Sequence, residues 1–269
     1  MMDFTIKKYS ELIRSFLVAG YQLVGVNQYL TTYPDGKVIV LRHDVDEQPQ
    51  NALNMARVEA SMGVNATYYF RRVRKSDHPD IIRAIKDLGH EIGYHYEDLS
   101  MNGGEMERAI QSFGKNLEYF RQYYPVQTVC MHGSSSSQYD NRAIWEKVRL
   151  EDYGLIGEPY LSFDFNTLFY LTDTGYSWDG GKYAVRDIVR NRFPNTYHTT
   201  DEIIAAVNSG QFAQQAMILA HTLWTDNLFR WGYLHLREFA RNRVKLLSRR
   251  NRMVAYIYGK LVSLYWGKS

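Results

Sequence analysis

Four of the eight histidines in the sequence follow a short apolar run directly or one residue later. They are His43, His95, His132 and His221. A short apolar run predicts a buried strand, and in parallel α/β barrels the carboxyl ends of the strands share the face that holds the active site. One histidine at such a position is readily explained by packing. Four of them at one rim predict a functional site.

The first of these positions also carries two acidic residues, Asp44 and Asp46. Residues two apart in an extended chain point to the same side, so both carboxylates project together while His43 and Val45 point away. Such a pair suits hydrolysis in which one carboxylate binds a metal ion and the other takes a proton from the water that the metal activates. A helix N-cap would explain one of the two acidic residues, but not both beside a histidine.

The elements that must position these residues alternate between strands and helices. Strands are predicted at 38–41, 66–70, 91–94, 128–131, 155–156, 168–171 and 217–220. Helices are predicted near 50–61, 79–88, 105–123, 142–148 and 200–208, after an amphipathic first helix that Gly20 ends. This alternation is typical of a parallel sheet covered by helices. We expect a distorted (β/α) barrel of about seven parallel strands, with a hairpin excursion at 173–191.

Length and composition are those of a globular protein with one large domain. The chain has 269 residues, of which 45% are hydrophobic, and no repeat or Pro/Gly-rich linker divides it. We therefore expect one domain over 1–269, with its motif-bearing core at 38–224. Its one cysteine, Cys130, excludes an internal disulfide. The N-terminus lacks the basic and apolar regions of a signal peptide, so the expected location is the cytoplasm.

The basic residues of the chain are concentrated at its end. Residues 241–269 contain eight Lys and Arg and no Asp or Glu, which leaves 24 basic against 29 acidic residues and a net charge of −5 over 1–240. Basic residues beside the apolar residues of 253–266 could dock on an anionic membrane surface. The alternative is that the apolar residues cover the barrel and leave the basic ones solvated. We expect no nucleic-acid partner.

Several of these segments occur together, in order, in one known family. The segments 42–46 (RHDVD), 66–70 (ATYYF), 89–95 (GHEIGYH), 173–179 (DTGYSWD) and 218–221 (ILAH) resemble its motifs. The family is that of the polysaccharide deacetylases (NodB homology, carbohydrate esterase family 4). The similarity covers most of residues 38–224 and is closest to deacetylase-like proteins of O-antigen-type, cell-surface polysaccharide gene clusters.

The resemblance implies a function and a division of roles. It implies that Asp44 is the general base and His221 the general acid, and that Asp46 and His95 bind a divalent metal. Water would then attack the acetamide carbonyl of an amino sugar, with the metal and a backbone N–H stabilising the oxyanion. Carboxylate and imidazole ligands suit zinc first, with cobalt, nickel, manganese or iron as alternatives. The implied substrate is an amino sugar or a polysaccharide precursor.

Two departures from the family motifs put the third metal ligand in doubt. Leu99 occupies the position of the second histidine of the usual His-x-x-x-His, and residues 132–134 (HGS) replace the usual Arg-x-Pro. We choose His132 as the third ligand, with Glu97 and Asp98 as the alternatives. The remaining possibility is that the metal site has decayed and the fold is kept for binding.

The substrate cleft is predicted to include Trp178, Asp179 and Trp224, although each tryptophan could equally belong to the core. Two other functions stay open. One is hydrolysis of another C–N amide bond, because the fold also hosts cyclic amide hydrolases. The other is a catalytically silent sugar-binding or assembly protein, for which Leu99 is the argument.

Overall fold

The protein is described by a computed structural model that covers residues 2–133, 137–179, 189 and 196–250, with the backbone alone at 245 and 248–250. Its strands form one sheet. They are β1 (Gln22–Val24), β2 (Val38–Val45), β3 (Thr67–Phe70), β4 (Glu91–Tyr96), β5 (Val129–Met131), β6 (Phe169–Thr172) and β7 (Gln215–Leu219). All pairings between these strands are parallel, in the order β5-β4-β3-β2-β7-β6, with β1 beside the first half of β2.

Helices surround this sheet. They are α1 (Ile6–Val18), α2 (Val26–Thr32), α3 (Pro49–Ser61), α4 (Pro79–Asp87), α5 (Asp98–Met101), α6 (Met106–Arg121), α7 (Pro159–Ser162), α8 (Thr200–Asn208) and α9 (Leu228–Arg250). The sheet curls into a half-barrel, so the predicted distorted α/β barrel with parallel strands is confirmed. Of the helices in the described residues, none is long and apolar enough to cross a membrane.

Strand β2 lies near the middle of the sheet and is buried along its whole length. Its residues alternate between two apolar clusters. Val38 and Val40 belong to the cluster inside the barrel, whereas Ile39 and Leu41 belong to the larger cluster under the helices. Burial on both faces explains the unbroken apolar run that precedes the acidic residues. The same alternation turns Asp44 toward the barrel interior.

Some predicted elements differ from those observed. The predicted strand at 155–156 is absent, because this segment makes only the isolated bridge of Gly157 with Thr128. Strand β1 was not predicted, since three residues are too short to show an alternation. The helix predicted at 142–148 is a 3₁₀ helix over Asn141–Glu146. In the predicted hairpin, 173–179 form turns, and 180–188 and 190–191 lie outside the described residues.

The barrel interior is closely packed at Gly93 of β4. A Cβ atom at Gly93 would lie 2.3 Å from the ring of Tyr69 and 2.9 Å from the carbonyl oxygen of Thr128. The Tyr69 hydroxyl is in turn 2.9 Å from Thr128 Oγ1. The glycine therefore makes room for the Tyr69 ring, which fills the barrel beneath the strand ends.

We expect Gly93→Ala to destabilise the fold by about 1–3 kcal/mol, because the added methyl group overpacks a core that has no room for it. Urea unfolding measures the change. The matched control is Gly114→Ala in α6, where the nearest atom to the new Cβ, on Tyr153, is 3.6 Å away. That substitution should stabilise the helix by about 0.5–1 kcal/mol. An unchanged unfolding midpoint for Gly93→Ala would contradict the packing described here.

Candidate active site

Three side chains from different strand ends converge at the carboxyl rim of the sheet. Asp46 follows β2, His95 lies in β4 and His132 follows β5. The Nε2 atoms of His95 and His132 are 3.4 Å and 3.5 Å from the same oxygen of Asp46, Oδ1. One donor atom from each of the three residues lies within 4.8 Å of the other two. This spacing is that of a cluster able to bind one ion.

The other nitrogen of each histidine is already engaged. His95 Nδ1 is 2.9 Å from the carbonyl oxygen of Cys130, to which it donates a hydrogen bond. His132 Nδ1 is 2.9 Å from Glu97 Oε2. Partners of this kind fix the ring and its tautomer, as is usual around protein metal sites. Both Nε2 atoms therefore face the Asp46 side of the cluster, where they can bind a metal ion once they are deprotonated.

Glu97 supports His132 and does not compete with it. Both Glu97 oxygens accept hydrogen bonds of 2.8 Å from Arg71. Burial raises the pKa of Glu97, but the charges of Arg71 and His132 outweigh it and lower that pKa to about 2. Glu97 is thus a fixed anion that orients the His132 ring.

Asp98, the other alternative for the third ligand, faces a different part of the chain. Its carboxylate accepts hydrogen bonds from Tyr94, Ser112 and Asn116 at 2.6–2.8 Å. Two of these partners lie in α6. Of the three residues considered for the third position, His132 is the one that the structure places beside Asp46 and His95.

A second observation is also consistent with a divalent metal at this cluster. Asp44 Oδ1 and Asp46 Oδ1 are buried and have no hydrogen-bond partner among the described residues. Leaving such oxygens unsatisfied is costly, and a cation satisfies them. Burial raises the pKa of Asp46, but the charges of His132 and His95 lower it well below its usual value, so its carboxylate is ionised. Carboxylate and imidazole donors suit zinc and its neighbours in the first transition series.

Asp44 forms an ion pair with an arginine of its own strand. Arg42 is fully buried, and its Nη2 lies 3.3 Å from Asp44 Oδ2 and 2.7 Å from the Tyr160 hydroxyl. Arg42 therefore supplies a positive partner to Asp44. Sequence reasoning missed this role. The signal was the spacing of two residues, which places Arg42 and Asp44 on one face of β2.

His221 is paired with Asp173, a second residue whose role was missed. His221 Nδ1 is 2.7 Å from Asp173 Oδ1, and the His221 backbone N–H also donates to this carboxylate at 2.9 Å. Burial lowers the pKa of His221, but the bond to Asp173 and the charges of Asp46 and Asp44 raise it to about 10. His221 thus carries a proton on Nε2. Asp173 directly follows β6, the same signal that singled out the histidines.

The two tryptophans that were predicted to line the cleft lie in the core. Trp178 and Trp224 are both 0% exposed, and their rings lie in the core with Phe4, so neither presents a face to a substrate. Their prediction as substrate contacts is wrong, because both indole N–H groups are used internally. Trp178 donates to Thr200 and Trp224 donates to Asp173.

The Asp179 carboxylate accepts a hydrogen bond from the Ser177 hydroxyl, and its Oδ2 lies 3.1 Å from His198 Nδ1. It lies partly exposed next to residues outside the described part of the chain. A substrate contact there stays a prediction.

Of the four strand-end histidines, His43 has a structural role. Its Nδ1 donates to the carbonyl oxygen of Ala220 at 2.9 Å, and its Nε2 is 2.8 Å from Glu59 Oε1. Tyr9 and Tyr68 donate to the same carboxylate. This buried network ties α1 and α3 to β2, β3 and the end of β7, as expected for the side chain that points away from Asp44 and Asp46.

The fold matches solved structures of family 4 carbohydrate esterases. One is a family 4 pseudoenzyme from Bacillus anthracis, with 12% identity and a TM-score of 0.42 over 77% of this chain and 62% of its own. A family 4 esterase from the same organism matches with 14% identity and a TM-score of 0.38 over 85% of each chain. A family 4 esterase from Streptomyces lividans, solved with acetate, matches with 17% identity and a TM-score of 0.39, over 77% of this chain and 88% of its own.

These structures come from the family that the sequence motifs resemble. This chain covers less than two thirds of the pseudoenzyme's length. No family model matches the sequence, and no curated protein matches it significantly. Similarity at these TM-scores transfers no activity, so the function is inferred from the residues of the site itself.

We expect Asp46→Ala, His95→Ala and His132→Ala each to abolish stoichiometric zinc binding, because each removes one of three converging donors. Equilibrium dialysis of each metal-free variant against zinc measures the binding, and circular dichroism shows whether the fold persists. Full zinc occupancy in the Asp46→Ala, His95→Ala double variant would contradict the assignment.

Two further variants separate a ligand from its support. Glu97→Gln should keep one zinc ion but bind it about 10–100-fold more weakly, as for other residues that orient a ligand. His78→Ala is the matched histidine control, since His78 is exposed at the start of α4, and it should leave affinity unchanged. If Glu97→Gln abolished binding and His132→Ala did not, Glu97 would be the ligand.

The paired His221 should titrate far above pH 6.5. We expect NMR titration of the metal-free protein to give His221 a pKa near 10. Asp173→Asn should bring it down by removing the negative partner. Because the folded-state pKa is the higher one, the stability from this pair is complete below pH 6.5 and declines as pH rises through 10. An unaltered His221 titration in Asp173→Asn would show that Asp173 does not set it.

Proposed function

We propose that this protein is a metal-dependent hydrolase that removes the acetyl group from the nitrogen of an amino sugar in a precursor of a cell-surface polysaccharide. The observation that carries the proposal is the convergence at one rim of three free metal donors, a buried carboxylate and a protonated histidine. Asp46, His95 and His132 are the donors, Asp44 is the carboxylate and His221 is the histidine.

In this proposal Asp46, His95 and His132 would hold the ion. A divalent metal bound there would supply Lewis acidity, lowering the pKa of water and polarising the acetamide carbonyl. The ligand donors come from three strand ends, and each histidine is oriented through its other nitrogen. The rigid sheet thereby fixes the direction from which the substrate carbonyl must approach.

Asp44 is placed to accept the proton of the attacking water. Its Oδ2 is 3.3 Å from Arg42 Nη2 and 3.7 Å from His95 Nε2, while its Oδ1 has no hydrogen-bond partner in the described part of the chain. The ion pair with Arg42 holds the carboxylate in place. A neighbouring carboxylate of this kind is a competent general base.

His221 is placed to give a proton to the departing amine. Asp173 accepts a hydrogen bond from Nδ1–H, so Nε2–H is the group free to donate. Cleavage of an amide needs this step, because the amine leaves as a neutral molecule only after it gains a proton. The raised pKa keeps His221 protonated at neutral pH, which suits an acid and not a base.

The two other functions are distinguished by what the protein releases. A silent sugar-binding protein would bind N-acetylated sugars and release no acetate. A hydrolase of cyclic amides would open a ring without forming acetate. The pairing of His221 with Asp173 favours catalysis, because a binding site has no need of a proton donor held in its charged form.

We expect the zinc-loaded protein to release acetate from N-acetylated amino sugars, and Asp44→Asn to reduce turnover by about 10²–10⁴-fold while retaining the metal. The probes are N-acetylglucosamine, its uridine-diphosphate derivative and its short β-1,4-linked oligomers. Acetate is measured by a coupled assay, and metal content by atomic absorption.

Asp80→Asn is the matched control, because the Asp80 carboxylate is 99% exposed on α4. It should change neither rate nor metal content. If Asp44→Asn retained full turnover, the base assignment would be wrong. If the wild type bound the oligomers with zinc in place but released no acetate, the protein would be a sugar-binding protein.

A further inference from the structure

Helix α9 has one face that packs on the rim of the barrel. Leu234, Glu238 and Asn242 are buried on this face. Trp231 Nε1 donates to the carbonyl oxygen of Asp3, and Asn242 Nδ2 donates to that of Gly175, both at 2.8 Å. These contacts attach the helix beside the loop that carries Asp173.

The opposite face of α9 is apolar and exposed. It is formed by Phe229 (93% exposed), Tyr233 (61%), Leu236 (70%), Phe239 (57%) and Leu247 (56%), which we call the outer face of α9. A surface helix ordinarily presents polar side chains on the side away from the core. A continuous row of large apolar side chains marks an interaction site.

The charge around the outer face identifies the kind of partner. No acidic residue occurs from 239 to 269, and Arg230 and Arg243 are exposed next to the apolar side chains. The Arg243 guanidinium lies 5.0 Å from the centre of the Phe239 ring. In the sequence, apolar residues recur at 254, 257, 261 and 264, with the same spacing of three and four residues.

A second copy of this chain is a poor partner for such a face, because it would bring two basic segments together. An anionic surface is complementary to it. We propose that the outer face of α9 docks this protein on a membrane surface rich in anionic lipids. The helix would lie in the interface, with its aromatic side chains among the lipid headgroups and its arginines at the phosphates.

Docking through α9 would also bring the candidate active site close to the membrane. Arg237, on the flank of the same helix, forms an ion pair with Glu47, which directly follows Asp46. Helix α9 thus contacts the rim that holds the site and carries the outer face on its opposite side. A substrate carried on a lipid would reach the rim without leaving the surface. Docking itself does not depend on the proposed hydrolysis and is tested without it.

The experiment is co-sedimentation of the full chain with vesicles. One set is phosphatidylcholine alone, and the other contains phosphatidylglycerol at about one third of the lipid. We expect binding to the anionic vesicles at low salt, weaker binding at high salt and none to the neutral vesicles. No sedimentation with anionic vesicles at low salt would overturn the proposal.

Two double variants test the face directly. Phe229→Ser with Leu236→Ser should abolish vesicle binding, and Arg230→Gln with Arg243→Gln should weaken it by about fivefold for each charge removed. These side chains are exposed, so the fold should persist. Sedimentation of the serine variant at the wild-type level would overturn the proposal.

The matched controls are exposed residues elsewhere on the molecule. Val18→Ser with Leu161→Ser removes two large apolar side chains, which are 81% and 50% exposed. Arg14→Gln with Arg57→Gln removes two exposed charges. Both controls should bind vesicles like the wild type. A concentration-dependent dimer that the serine variant loses, without lipid binding by the wild type, would show that the face joins two copies instead.

Discussion

Three buried carboxylates at the strand ends of this sheet lie against positive partners, and those pairs shape what the site can do. Removing a carboxylate from water is costly unless another charge and good hydrogen bonds replace the solvent. Asp44 lies against Arg42, Glu97 against Arg71, and Asp173 against His221. These pairs hold the carboxylates of the rim in fixed positions. The Asp46 side has two imidazole nitrogens and an oxygen without a hydrogen-bond partner among the described residues, and this donor set suits a metal cation.

Much of the site could be predicted because parallel strands place their carboxyl ends together. His95, His132, Asp46 and Asp44 were found from that rule, and the structure brings them together. Arg42 begins the RHDVD segment, but its role beside Asp44 was missed. Its role depends on a partner two residues away and on burial that only the folded sheet creates.

The tryptophans show the limit of sequence reasoning for large side chains. Trp224 stands three residues after His221, a spacing equally consistent with a cleft or a core. Its ring lies against Phe4, which comes from the far end of the chain, so its burial depends on a contact between residues 220 positions apart. The segment at 155–156 was over-predicted for a related reason. Two apolar residues satisfy a strand pattern, but a strand also needs a ladder of backbone hydrogen bonds to a neighbouring strand. Here the structure has only the isolated bridge between Thr128 and Gly157.

The open order of the sheet separates the two parts of the site. His95 and His132 come from β4 and β5 on one side of β2, whereas Asp173 and His221 come from β6 and β7 on the other. The supporting contacts follow the same division, because Cys130 and Glu97 orient the two histidines of one part and Asp173 orients His221 in the other. On the proposed function, a change confined to β6 or β7 would remove proton donation and leave the metal donors intact. On that proposal, a descendant of this chain could exchange catalysis for recognition in one mutational step, with its architecture unchanged.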